Sequence, residues 1–144
     1  MKTVFGGLAL ATLAVPASLL LAAPARQVAP DPVGLWFTEG HRSAIRFAPC
    51  GAGWCGHIDR VLIPDPGAPA HDVKNPDPRL RTRPILGLRL LDLPRAQADG
   101  WRGTVYDPRS GRTYTATVRR TGADLLEVKG CLMMFCQTQS WTAR

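Results

Sequence analysis

The sequence predicts an all-β fold, a single antiparallel up-and-down β-barrel of about eight strands. Three observations carry that expectation. Apolar and polar residues alternate with period two in short runs, as they must where one face of a strand is buried. Gly, Pro and Asp separate the runs and supply the backbone angles that tight turns need. No stretch beyond the N-terminal segment repeats with the 3.6-residue period of an amphipathic helix.

In chain order the runs are 34–37, 43–47, 55–63, 85–93, 101–106, 112–118, 125–130 and 137–141. Ile45 and Phe47 share one face of the second run, with Arg42 and Arg46 on the other. In the sixth, Tyr114, Ala116 and Val118 oppose Thr113, Thr115 and Thr117. Asp107-Pro-Arg-Ser-Gly111 and Arg120-Thr-Gly-Ala-Asp124 read as hairpin turns. Hairpin follows hairpin, so the sheet closes on itself, with Trp36, Phe47, Trp101, Tyr106, Tyr114 and Trp141 expected to line and fill it. One segment breaks the meander. Residues 64–84 are rich in proline and polar side chains, and a loop of that length in a small domain is usually functional or disordered. Its Leu80 and regularly spaced arginines point to packing across the barrel.

The N-terminus reads as an address. Met1-Lys2 precedes an Ala/Leu-rich apolar stretch, and Ala23 and Ala25 occupy the small-residue positions of a cleavage site. Residues 1–25 are therefore expected to be a signal peptide, 26–33 a flexible lead-in and 34–144 the barrel domain. The mature chain, about 120 residues, holds one core and belongs in the periplasm or outside the cell, without a transmembrane anchor once cleaved. The formal charge of the whole chain is +7, mostly from arginine. The basic residues are dispersed rather than interleaved with aromatics in a stripe, which argues against nucleic-acid binding. Attraction to anionic lipid or polysaccharide remains compatible with them.

All four cysteines sit in two loops of equal size, Cys50-Gly-Ala-Gly-Trp-Cys55 and Cys131-Leu-Met-Met-Phe-Cys136. Each spacing lets a disulfide cross a hairpin, so Cys50–Cys55 and Cys131–Cys136 are the favoured pairs in an oxidising compartment. A four-cysteine zinc site is the alternative; the usual knuckle spacing is shorter and exported thiols oxidise first.

No catalytic constellation is legible. His41, His57 and His71 are dispersed and lack metal-ligand spacing, so no catalytic residue, metal or cofactor is assigned. His57 and Asp59 share a strand face, with no nucleophile in readable relation to them. Asp72, Asn75 and Asp77 offer oxygen atoms without a calcium-loop register, and Asx-turn hydrogen bonding is the better reading. Arg79, Arg81 and Arg83 alternate, so an extended backbone would set three guanidinium groups on one side to grip an anion. The competing reading pairs them with acids such as Asp92, Asp107 or Glu127. Met133, Met134 and Phe135 crowd one hairpin tip, where solvent alone gives no reason for apolar side chains.

Gly34-Leu-Trp36, Cys55-Gly-His-Ile58, the segment from Asp72 to Gly87, Trp101 to Tyr114, Leu126-Glu-Val-Lys-Gly-Cys131 and Trp141-Thr-Ala-Arg144 together resemble the exported bacterial family known as domain of unknown function 2147. The resemblance spans the mature chain; the Met-Met-Phe tip is its main departure. It implies a lipocalin-like barrel in the periplasm or outside the cell and no established activity. It also implies structural roles for Trp36 on the first strand and Arg144 on the last, the guanidinium covering the indole. The leading functional expectation is a non-enzymatic barrel that binds a small apolar or amphipathic ligand, with Trp101, Tyr106, Tyr114, Arg79 and Arg83 nearest its mouth. The alternative is an envelope protein-interaction or inhibitor module with a solid barrel and contact-making tips.

Overall fold

The structure is a computed structural model and describes residues 30–143, so the expected signal peptide, its cleavage site and Arg144 lie outside the described residues. Eight strands follow one another: β1 (Gly34–Phe37), β2 (Ser43–Cys50), β3 (Gly53–Val61), β4 (Arg89–Ala96), β5 (Trp101–Asp107), β6 (Arg112–Arg120), β7 (Leu125–Leu132) and β8 (Phe135–Ala143). They form a closed barrel with antiparallel neighbours throughout, as the alternation and turn chemistry predict. Two short 3-10 turns, Glu39–His41 and Pro78–Leu80, are the helical elements among the described residues.

Connections alternate between two ends. The long β3–β4 loop, the β5–β6 turn and the β7–β8 tip share the end we call the rim; the β2–β3, β4–β5 and β6–β7 turns share the floor. Both expected disulfides are formed, Cys50–Cys55 at the floor and Cys131–Cys136 at the rim. That separation excludes a shared four-cysteine zinc site. Replacing Cys131 and Cys136 together by serine is expected to lower stability by about 2 kcal/mol, the loop-closure entropy of so short a ring. Denaturant unfolding checks this; a double variant as stable as the parent refutes it.

Inward-facing residues fill the barrel. All four tryptophans, Trp36, Trp54, Trp101 and Trp141, are buried with Ile45, Phe47, Leu91, Leu93, Val118 and Leu126. Trp54 and Trp101 meet edge to face with centroids 6.2 Å apart, a favoured aromatic geometry. Packing at mid-barrel leaves no slack: a Cβ added at Gly56 would lie 3.0 Å from Leu91, 3.1 Å from Phe47 and 3.2 Å from Ile45.

The floor is sealed by the lead-in. The indole of Trp36 donates to the Pro32 carbonyl at 2.7 Å, and that of Trp101 to the Pro30 carbonyl at 3.3 Å. An Arg120 guanidinium nitrogen donates to the Asp31 carbonyl at 3.3 Å. Residues 30–32 thus contact the barrel floor, with Pro32 buried. The guanidinium found over the Trp36 ring is that of Arg120, 5.4 Å from the centroid. The contact expected of Arg144 falls outside the described residues.

Several strands differ by a few residues from their expected spans, β4 by the most at its start. β4 begins at Arg89 rather than at residue 85, because Gly87 takes φ 79° and donates its N–H to the Ile58 carbonyl, turning the chain into the sheet. The strand then runs through Pro94, tolerated where the β4–β5 register shifts between Asp92 and Arg95. Closure is narrow: β1 meets β8 at the pairs Trp36↔Ala143 and Phe37↔Thr142 alone. Residues 135–140 of β8 consequently pair with β7 on one side and with no described strand on the other.

Candidate functional site

Parity along β5 decides which side chains meet the long loop. Val105 lies opposite the fully buried Leu91 and faces inward, so Tyr106 must face outward, as must Arg102 and Thr104. Tyr106 was expected to line the barrel; it stands on the outer wall instead, beneath the loop.

There it meets a buried carboxylate. Asp72, 0% exposed, accepts the Tyr106 hydroxyl at 2.6 Å on Oδ1. Its Oδ2 accepts Asn75 Nδ2 at 2.8 Å and Arg83 Nε at 2.9 Å, with Arg83 Nη2 2.8 Å away in the same ion pair. Asn75 is also buried and donates to the Tyr106 oxygen at 3.1 Å, while the Arg83 guanidinium lies 5.5 Å from the tyrosine ring centroid. Burial alone would push the Asp72 carboxyl up. The hydrogen bonds from Tyr106, Asn75 and Arg83, with the charge of Arg83, outweigh it and hold the group below the usual carboxylate range. Burial and the bond to Asp72 push the Tyr106 phenol up, so tyrosine remains the proton donor.

The loop's own polar residues shape its path. Asn75 Oδ1 accepts the Asp77 N–H at 2.9 Å and Asp77 Oδ1 accepts the Arg79 N–H at 3.0 Å, the Asx turns expected of this composition. Arg81 Nε donates to the Asn75 carbonyl at 2.8 Å. The β5–β6 turn braces the same segment: Gly111, at φ 70°, packs its α-carbon against the Lys74 carbonyl, where any side chain would collide. Protein donors occupy the carboxylate's lone pairs, so this arrangement is a latch for the loop rather than an acid–base centre.

The five residues expected to share a ligand site are dispersed. Trp101 lies in the core at the floor, at the end of the barrel opposite the expected mouth. Tyr114 faces inward toward the rim and is partly buried. Tyr106 and Arg83 are in the latch. Arg79, whose side chain is 88% exposed, pairs with Asp77 at 2.8 Å. The even spacing of Arg79, Arg81 and Arg83 does not align them, because the backbone between them makes a 3-10 turn rather than a strand. The acidic partners of Arg79 and Arg83 come from the loop itself and not from Asp92, Asp107 or Glu127, while Arg81 serves the Asn75 carbonyl.

Two open clefts lie on the outer wall. One, about 280 Å³, separates the loop from the sheet between Asn75, Pro76, Arg83, Arg89 and Thr113. The other, about 390 Å³, is formed by Asp92, Arg95, Arg102, Thr104 and Thr115. Arg95 and Arg102 escaped notice in the sequence; strand parity puts Arg102 outward, but only the register reveals its neighbour. At the rim, Met133, Met134 and Phe135 are 93%, 85% and 78% exposed, with Met133 at φ 55° in the tip closed by the Cys131–Cys136 disulfide.

A family model described as an uncharacterized protein conserved in bacteria, DUF2147, matches residues 34–143. Among solved structures, one from the human pathogen Helicobacter pylori, protein HP1028, described as belonging to the lipocalin family, is similar at 21% identity and a TM-score of 0.66, covering 78% of this chain and 82% of that one. The likeness shows the fold, a lipocalin-like barrel. No curated protein matches the chain significantly.

Proposed function

We propose that this chain, which belongs to the DUF2147 family, is an exported, non-enzymatic binding module that docks a partner protein in the cell envelope through its rim. The observation that carries the reading is the run of exposed apolar side chains from Met133 to Phe135, presented on a disulfide-closed tip above a filled core. Methionine and phenylalanine are among the residues enriched at protein interfaces, and adaptable thioethers suit an irregular apolar surface. A preset tip also loses less freedom on binding than a mobile one. Export is supported by the leader and by two disulfides, which persist in oxidising compartments.

A small amphipathic ligand is the second reading. It is favoured by the lipocalin-like fold and by Val105 and Tyr114, inward-facing toward the rim and only partly buried. The two separate by experiment. Met134→Asp with Phe135→Asp should abolish crosslinking of a partner in envelope extracts of the source cells while leaving the melting temperature unchanged, because both side chains already face solvent. Undiminished crosslinking by that variant overturns the docking reading. A small molecule retained by the purified protein in native mass spectrometry would favour the second.

A further inference from the structure

Strand register assembles basic residues that the sequence keeps far apart. Arg95 on β4 pairs directly with Arg102 on β5, Arg102 with Thr117 on β6, and Thr117 with Lys129 on β7. Directly opposed residues of an antiparallel sheet share a face. Ala116, Val118 and Val128 are buried on the inner side, so Thr117 and Lys129 point outward with Arg102. The result is one lateral row, Arg95, Arg102, Thr117, Lys129, running across the outer wall with about 5 Å between strands and about 10 Å from Arg102 to Lys129.

Several arginines elsewhere on this surface are paired with acids: Arg46 with Asp59, Arg83 with Asp72, Arg119 with Asp99 and Glu127. Among the described residues, no ion pair engages Arg95, Arg102 or Lys129. Like charges directly opposite each other across two strands are destabilising, and among the described residues no carboxylate forms an ion pair with either member. The arginine pair also forms one wall of the 390 Å³ cleft, whose other polar side chains are the hydroxyls of Thr104 and Thr115 and the carboxylate of Asp92. Asp92 leans toward Arg89, 3.6 Å away.

We propose that this row is a binding site for phosphate-bearing polyanions, distinct from the rim. One phosphate would sit in the cleft, where two guanidinium groups offer forked donors and Thr104 and Thr115 offer hydroxyls. A second would reach Lys129 past Thr117, so the site selects ligands with more than one phosphate over a single free ion. A phosphorylated lipid headgroup and a soluble oligophosphate share this chemistry.

The test titrates the purified full protein with sodium tripolyphosphate, followed by amide chemical shifts, and in parallel sediments it with phosphatidylcholine vesicles made with and without phosphatidylglycerol. Binding of either kind should perturb or protect Thr104, Thr115 and Thr117. It should weaken about tenfold or more in Arg102→Gln and in Arg95→Gln, the loss expected for a charge-assisted hydrogen bond. Arg46→Gln, on the far side of the sheet order, should leave it unchanged. Arginine-dependent binding of tripolyphosphate identifies a soluble ligand; arginine-dependent sedimentation without it identifies a headgroup. No binding in either arm, or equal weakening by Arg46→Gln, overturns the proposal and leaves a diffuse basic surface. Folding is checked in the same samples: both glutamine variants should melt no lower than the parent, since each removes one of two facing like charges.

Discussion

Replacing Asp72 by alanine is expected to destabilise the protein by about 3 kcal/mol, because it deletes the acceptor shared by Tyr106, Asn75 and Arg83 and leaves their donors without a partner under the loop. The Arg83 side chain, 35% exposed, regains some water, which keeps the loss at the lower end of what breaking a buried ion pair costs. Tyr106→Phe removes one bond to the carboxylate and should cost about 2 kcal/mol. Denaturant unfolding measures both, and hydrogen exchange should show residues 70–85 opening before the sheet. The pH dependence has a definite sign. A folded carboxyl held below its unfolded value contributes stability that is complete above the unfolded value and lost as pH falls through the folded one. Acid should therefore erode the parent more than Asp72→Ala. Equal acid sensitivity of the two would show that the latch carries no charge-dependent stability.

The other large effect is expected at Trp36. Its side chain is 1% exposed, its indole N–H serves the Pro32 carbonyl, and its ring lies beneath the Arg120 guanidinium. Trp36→Ala should cost about 4 kcal/mol through lost burial and the cavity left behind, with the lead-in released from the floor as well. Trp36→Phe restores most of the apolar volume without the donor and should cost about half as much. Thermal melting orders the three proteins; an alanine variant as stable as the phenylalanine one would mean that packing at the floor is not what holds it.

Much of the barrel is legible in the chain because burial on one face of a strand imposes a period of two that nothing else produces. β1, β5 and β6 begin where the alternation begins. β4 is displaced because Ile85-Leu86-Gly87-Leu88 is apolar enough to read as strand, while its backbone is committed to Ile58 through Gly87 and Leu88. The site was less legible, for two physical reasons. Tyr106 lies an odd number of residues from Trp101, so parity places them on opposite faces although both are aromatic. The arginines of the loop alternate in sequence, but alternation has meaning only in an extended backbone, and Pro78 at the start of a 3-10 turn removes it. The basic row could not be read at all from spacing, since Arg95, Arg102 and Lys129 become neighbours through register on separate strands.

The narrow closure between β1 and β8 bears on how the chain finds this shape. Seven of the barrel's neighbour pairings join strands consecutive in the chain, six of them across short turns and β3–β4 across the long loop; the eighth joins the first strand to the last. That contact carries the longest loop-closure entropy in the molecule and returns two register pairs for it. Assembly by hairpins would leave it for last, after a curled open sheet has formed, and unfolding would part it first. The barrel then behaves as a rolled sheet with a clasp, whose hold rests on Trp36 and the floor beneath it.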